Sequence, residues 1–126
     1  MYKKYAVLLV GHGSREKGFQ AAMWKVAKAL QKSGRYDCVA CAYLEVTTPS
    51  ISQGIDRLVR KGAGEIHVLP YFLLVGKHVK RHIPEIIAEA RKKFKSRVKI
   101  ILCPYLGFDP KIVDVVKKRL KISEHR

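Results

Sequence analysis

An apolar run at residues 5–10, Tyr-Ala-Val-Leu-Leu-Val, stops at Gly11-His12-Gly13. A continuous run of this length reads as a strand buried on both faces. Beyond it, Phe19, Ala22, Met23, Val26 and Leu30 recur at helical spacing. Lys25, Lys28 and Lys32 fall mostly off that stripe, so an amphipathic helix is expected over 16–32, stopped near Gly34. Trp24 sits beside the stripe as packing. A second strand is expected over 37–44, ending at Glu45. Thr48 is the expected N-cap of the next helix, with Pro49 at its first position. Ile51, Ile55, Leu58 and Val59 would form its inner face, and Gly62 and Gly64 would end it.

A third strand is expected over 65–72, with His67 inside it as a structural or partly exposed residue. Residues 73–78 read as a loop. Pro84 would cost a helix passing through it a hydrogen bond, so the regular helix is expected to begin near it. Ile83, Ile86, Ile87, Ala90 and Phe94 supply its apolar face. The fourth strand is expected over 97–103. Asp109-Pro110 signals a cap, Ile112, Val113, Val116 and Leu120 line the final helix, and 123–126 is expected to fray. The order βαβαβαβα predicts a doubly wound four-stranded parallel sheet flanked by helices, in strand order 2-1-3-4. Its switch point would fall between strands one and three. Residues 1–126 read as one α/β domain without linker or low-complexity tract.

Charge adds a second layer. Twenty-six Lys and Arg against ten Asp and Glu give +16. Such a surface attracts polyanions: nucleic acid, anionic lipid or an acidic small molecule. A solvated lysine-rich face with no specific partner is the plainer reading. No apolar run is long enough to span a bilayer, and the basic segment 1–4 does not lead into a signal-peptide pattern, so a cytoplasmic location is expected. Cys38 and Cys41 match C-x-x-C, but on a strand residues three apart point to opposite faces. With no second such pair, buried reduced thiols are expected at Cys38, Cys41 and Cys103 rather than a metal clip.

The candidate chemistry lies at the strand ends. His12 follows the first strand, Glu45 the second, and His78 lies beyond the third. In this topology all three open onto the same edge of the sheet, where ligands bind. Two neutral imidazoles and a carboxylate suit a divalent first-row metal and leave coordination positions open. Singly, each residue has a bland reading. A lone histidine is more often structural. Glu45 could cap the second helix or pair with a lysine. His78 could be a surface residue among Lys77, Lys80 and Arg81. His82, four residues on, could share its face as a fourth group or be a solvated side chain. Convergence carries the reading, not any one residue.

Val10-Gly11-His12-Gly13-Ser14-Arg15, Tyr43-Leu44-Glu45 and the block Leu69-Pro70-Tyr71-Phe72-Leu73-Leu74-Val75-Gly76-Lys77-His78-Val79-Lys80-Arg81-His82-Ile83-Pro84 resemble the short-form sirohydrochlorin cobaltochelatases. These are class II tetrapyrrole chelatases, related to the iron and nickel sirohydrochlorin chelatases. The resemblance covers nearly the whole chain, and the third block is its most specific part. It implies ATP-independent metal insertion into a cobalamin-, sirohaem- or F430-type precursor, with no cofactor beyond the divalent metal substrate: cobalt, with nickel or iron as alternatives. It carries the metal-binding and catalytic roles onto His12 and His78, and the acidic partner onto Glu45. It also implies a homodimer, because the short form resembles half of a two-lobed enzyme. His82 departs from the acidic residue expected there in many relatives. Gly11, Ser14, Arg15, Lys77, Lys80 and Arg81 are the candidate substrate-binding residues, the cations gripping tetrapyrrole carboxylates as charge-assisted pairs.

Two other classes compete. A nucleic-acid- or polyanion-binding module without catalysis is motivated by the charge and by Arg91-Lys92-Lys93-Phe94-Lys95, but no RNA- or DNA-binding motif is present. A phosphate-handling enzyme using the Gly11–Gly13 turn lacks both the Walker A and the G-x-G-x-x-G spacing.

Overall fold

The computed structural model describes residues 4–124. Its elements run β1 (Lys4–Gly11), α1 (Ala21–Lys32), β2 (Cys38–Tyr43), α2 (Ile51–Arg60), β3 (Ala63–Pro70), α3 (Lys77–Phe94), β4 (Lys99–Leu102) and α4 (Pro110–Glu124), with one 3-10 turn between α3 and β4. The four strands are parallel, in the expected order β2-β1-β3-β4.

The central strand explains the layering. Residues 6–10 of β1 are buried on both faces. One side of the sheet (Ala6, Leu8, Val10) packs with Ile51, Ile55 and Leu58 of α2 and Ile83, Ile87 and Phe94 of α3. The other side (Val7, Leu9) packs with Met23 and Ala27 of α1 and with Tyr43. Cys38 lies against the first cluster and Cys41 against the second, so the C-x-x-C thiols do face opposite ways. All three cysteines are free, but they are partly rather than fully buried, Cys38 and Cys41 because each sits at the margin of its cluster.

The strand ends shift by a residue or two: β3 runs 63–70 rather than 65–72, which puts Gly64 inside the strand instead of at the end of α2, and β4 runs 99–102 rather than 97–103. The helix boundaries differ more. The first helix begins at Ala21 rather than near residue 16, because Gly18 adopts φ +75°, outside the helical region. Phe19 still packs on the α1 side. The second helix is capped by Ser50 rather than Thr48. The Gln53 amide donates to Ser50 Oγ, and the Ser50 amide donates to Gln53 Oε1. That reciprocal box satisfies two orphan donors, which Thr48-Pro49 cannot do.

The third helix starts at Lys77 and runs through Pro84. The missing bond and ring clash cost about 3 kcal/mol. Burial of Ile83 and Ile87 on the same turns, each contributing about 1.5–3 kcal/mol, outweighs it. Residues 77–78, expected in a loop, are therefore its first turn.

The fourth helix forms where expected but stands off the sheet. Val113, Val116, Leu120 and Ile122 are exposed, so most of its apolar stripe is left uncovered by the described residues. It extends through Ser123 to Glu124, where fraying was expected. Residues 125–126 of that tail, and residues 1–3 of the basic N-terminal segment, lie outside the described residues. No helix among the described residues is long and apolar enough to cross a membrane.

Candidate functional site

The loops after β1 and β2 are clamped together at the carboxyl edge of the sheet. The Leu44 amide donates to Gly11 O at 3.0 Å, and the Glu45 amide donates to His12 O at 3.2 Å. One turn further, the Ser14 amide donates to Thr47 Oγ1 at 3.2 Å, and that hydroxyl donates to Ser14 O at 3.0 Å. Gly13 makes the close approach possible. It has φ +101°, and a Cβ there would lie 1.9 Å from the Glu45 carbonyl oxygen. No other residue fits that position.

The clamp sets His12 Nε2 3.0 Å from Glu45 Oε1, with both side chains more than half exposed (58% and 62%). Phe72, from the loop after β3, meets the His12 ring edge-on, with centroids 6.3 Å apart. A hollow of about 210 Å³ opens beside it, lined by Gly11, His12, Phe19, Met23 and Tyr43 among others. The imidazole is thus oriented by a carboxylate and an aromatic edge while remaining open to ligand. Backbone tension accompanies the arrangement: Val46 sits at φ +68° in a tight turn in which the Thr47 amide donates to Glu45 O at 2.7 Å. A β-branched residue in that region is strained.

His78 occupies the first turn of α3, exposed, its ring stacked on His82 with centroids 5.6 Å apart and planes at 12°. No hydrogen bond or ion pair joins it to His12 or Glu45. Among the described residues no three His, Cys, Asp or Glu side chains are gathered closely enough to hold a metal by themselves. Of the three candidate ligands, two are therefore assembled and the third stands apart on its own element.

The remaining candidates divide by role. Gly11 is pressed against Met23 and Tyr43, where a Cβ would meet Met23 Cε at 3.1 Å. Ser14 acts through its backbone in the clamp, and its hydroxyl accepts from the Glu16 amide. Arg15, Lys77, Lys80 and Arg81 are exposed and in no ion pair among the described residues, so their charge is available to a ligand. The N-terminal end of α3, where Lys77 lies, adds positive potential from its unpaired amides.

Sequence reasoning missed the apolar fringe of this edge. Val46 after β2, Leu73 and Leu74 after β3, and Tyr105 and Phe108 after β4 are all exposed, Leu74 at 89% and Phe108 at 80%. The loop after β4 is tied to that after β3 by the Gly107 amide donating to Phe72 O. Residues 73–75 read as a loop from the sequence, but only the folded sheet shows that their apolar side chains fringe the edge that carries His12.

Over 94% of its length the chain matches the sirohydrochlorin chelatase SirB of Bacillus subtilis subspecies spizizenii, solved in complex with cobalt, at a TM-score of 0.84 and 34% identity, covering 50% of that protein. The chain belongs to the CbiX family, whose model matches residues 6–123. It is similar to the sirohydrochlorin cobaltochelatase of Sulfolobus acidocaldarius, at 34% identity over 90% of this chain and 87% of that one. It is also similar to that of Priestia megaterium, at 29% identity over 90% of this chain but 37% of the relative. The chain thus spans most of the archaeal relative, and half or less of the two bacterial ones.

Proposed function

We propose that the protein is a metal chelatase that inserts a divalent ion into sirohydrochlorin, with cobalt favoured and nickel or iron as alternatives, and without ATP or an organic cofactor. The observation that carries this reading is the exposed His12–Glu45 pair, held at 3.0 Å by the Gly13 close approach.

His12 and His78 supply imidazole nitrogen to the metal, and Glu45 its carboxylate, a donor set suited to Co²⁺, Ni²⁺ or Fe²⁺. Insertion displaces two pyrrole N–H protons. As the ion passes to the macrocycle, the imidazole nitrogens of His12 and His78 that held it are freed and each takes one of these protons, and Glu45 beside His12 Nε2 can relay a proton onward. His78 stays apart until metal and macrocycle arrive, and a set that is not closed in advance releases its ion rather than retaining it. Arg15, Lys77, Lys80 and Arg81 bind the carboxylates around the macrocycle. The backbone at Gly11 and Ser14 lies against it, and the exposed Leu73, Leu74 and Phe108 contact its apolar face.

The active form in this reading is a homodimer. The exposed stripe of α4 is consistent with it. A cytoplasmic location suits three free thiols. The polyanion-binding alternative is weakened by Phe94, which is buried in the core rather than offered as a stacking platform.

The test is anaerobic mixing with sirohydrochlorin and, separately, Co²⁺, Ni²⁺ and Fe²⁺, following the tetrapyrrole absorption spectrum. Acceleration over the protein-free rate, lost in His12→Ala and His78→Ala, is expected. Folded protein that accelerates none of the three overturns the reading.

A further inference from the structure

A second histidine–carboxylate pair lies on the sheet face, away from the edge. His67 sits in β3 level with Val7, on the order of 15 Å back along the strands from His12. Its Nε2 is 2.6 Å from Glu65 Oε2, and its Nδ1 is 3.9 Å from Cys103 Sγ, just past the end of β4. Tyr5 stacks on the ring, with centroids 4.5 Å apart and planes at 9°. This is the α1 side of the sheet, but α1 packs on β1 and β2, and the stand-off of α4 leaves the β3–β4 half without a helix over it. His67 and Glu65 consequently keep 22% and 34% exposure.

We infer that Cys103 and His67 form a second binding site for a borderline-soft divalent cation such as Co²⁺ or Zn²⁺, with Glu65 holding His67 in the ligating tautomer. A neutral imidazole whose Nε2 is bound to a carboxylate carries its proton there, which leaves the Nδ1 lone pair free on the side of the thiol. Carboxylate–histidine–metal is the usual arrangement by which a protein fixes a ligating ring. The Tyr5 stack holds the ring plane.

The spacing suits one shared ion. Bonds of about 2.3 Å to sulfur and 2.0–2.1 Å to nitrogen at a tetrahedral angle separate the donors by about 3.6 Å. The observed 3.9 Å reaches that with a shift of a few tenths of an ångström. The incoming cation displaces the Cys103 thiol proton to solvent as the sulfur binds. Two protein donors leave two positions for water, making the site exchangeable. Its chemistry is independent of the insertion reading, because it shares no residue with the edge site.

Cobalt alone is the probe. The full chain carrying His12→Ala and His78→Ala, which removes the edge histidines, is titrated anaerobically with Co²⁺ while near-ultraviolet sulfur-to-cobalt charge-transfer absorption is followed. One equivalent per chain is expected to develop the band. Cys103→Ser should abolish it, a Cys38→Ser/Cys41→Ser variant should keep it, and Glu65→Gln on the half-exposed surface should weaken cobalt binding about 10- to 100-fold. Absence of the band, its survival in Cys103→Ser, or its loss in the Cys38/Cys41 variant would each overturn the site. Insertion activity in Cys103→Ser should match the parent protein, so failure of this site and failure of the chelatase reading are separately visible.

Discussion

Among the described residues the chain builds two histidine–glutamate pairs from the same two residue types and gives them opposite settings. Glu65 and His67 are two residues apart on one strand and side by side on one face, so the strand alone brings them together. His12 and Glu45 come from loops after different strands and meet only because the parallel sheet is closed and the Gly13 clamp is made. The first pair is half-buried and stacked on Tyr5, whereas the second is mostly exposed beside a hollow. A pair made by local periodicity is cheap to build and sits wherever the strand happens to run. A pair made by topology is placed where ligands arrive, and its cost is carried by the backbone around it.

The strongest way to break this contrast is to remove one imidazole from each pair. His12→Ala should reduce cobalt insertion by about a hundredfold or more, the scale of a lost proton-transfer group. Stability should change by no more than about 0.5 kcal/mol, since the side chain is exposed. His67→Ala should do the reverse: insertion unchanged, and stability lower by roughly 1 kcal/mol through the lost stack and hydrogen bond. Initial rates and urea denaturation on the same preparations decide. Equal loss of insertion in both variants would erase the functional distinction.

Gly13→Ala attacks the clamp without touching either side chain of the edge pair. The new Cβ would lie 1.9 Å from the Glu45 carbonyl at a φ of +101°, so the two loops must separate. A loss of about 1–3 kcal/mol in stability is expected. Insertion should fall by up to about a hundredfold, because displacement of His12 by an ångström is enough. An active, fully stable Gly13→Ala would mean the pair does not depend on the close approach.

How much of this could be read from the residues follows the same division. Periodicity revealed every strand and helix, and parallel connectivity the order 2-1-3-4, because burial of an apolar face repeats along the chain. His12 and Glu45 were legible as ends of apolar runs, and their adjacency followed from the topology. The start of α3 was not legible, because the cost at Pro84 is local while its compensation at Ile83 and Ile87 is tertiary. The Cys103–His67 proximity was hidden too, since β3–β4 register joins residues far apart in sequence. Nor could the pattern of Val113, Val116 and Leu120 say that α4 stands clear: a stripe shows which face wants cover, not what covers it.

Val46 tests whether the edge pair is built under tension that the strand pair does not need. The residue is 59% exposed, so it contributes little packing. Its φ of +68° belongs to a conformation that costs a β-branched residue about 1–3 kcal/mol. Glycine adopts it freely but adds about 0.5–1 kcal/mol of chain entropy to the unfolded state. Val46→Gly should therefore raise stability by about 1 kcal/mol, with the His12–Glu45 pair retained. A drop in stability would show that the turn is not strained.

The smallest expected effect is a pH dependence belonging to the strand pair. The hydrogen bond from His67, opposed by partial burial and helped by the charges of His67 and Lys99, holds the Glu65 carboxyl below its ordinary value of 4.5. A carboxyl depressed by folding binds its proton more readily in the unfolded chain. Its stabilising contribution is complete above the ordinary value and is lost as pH falls through the folded one. Glu65→Gln should therefore flatten the fall in stability below about pH 4.5, in buffer containing a chelator, while leaving its slope near neutrality unchanged. The effect is small because the carboxylate is partly exposed and screened. The same acid limb in Glu65→Gln and parent protein would mean that water satisfies Glu65 as well as His67 does, and the second pair would then be only a coincidence of strand periodicity.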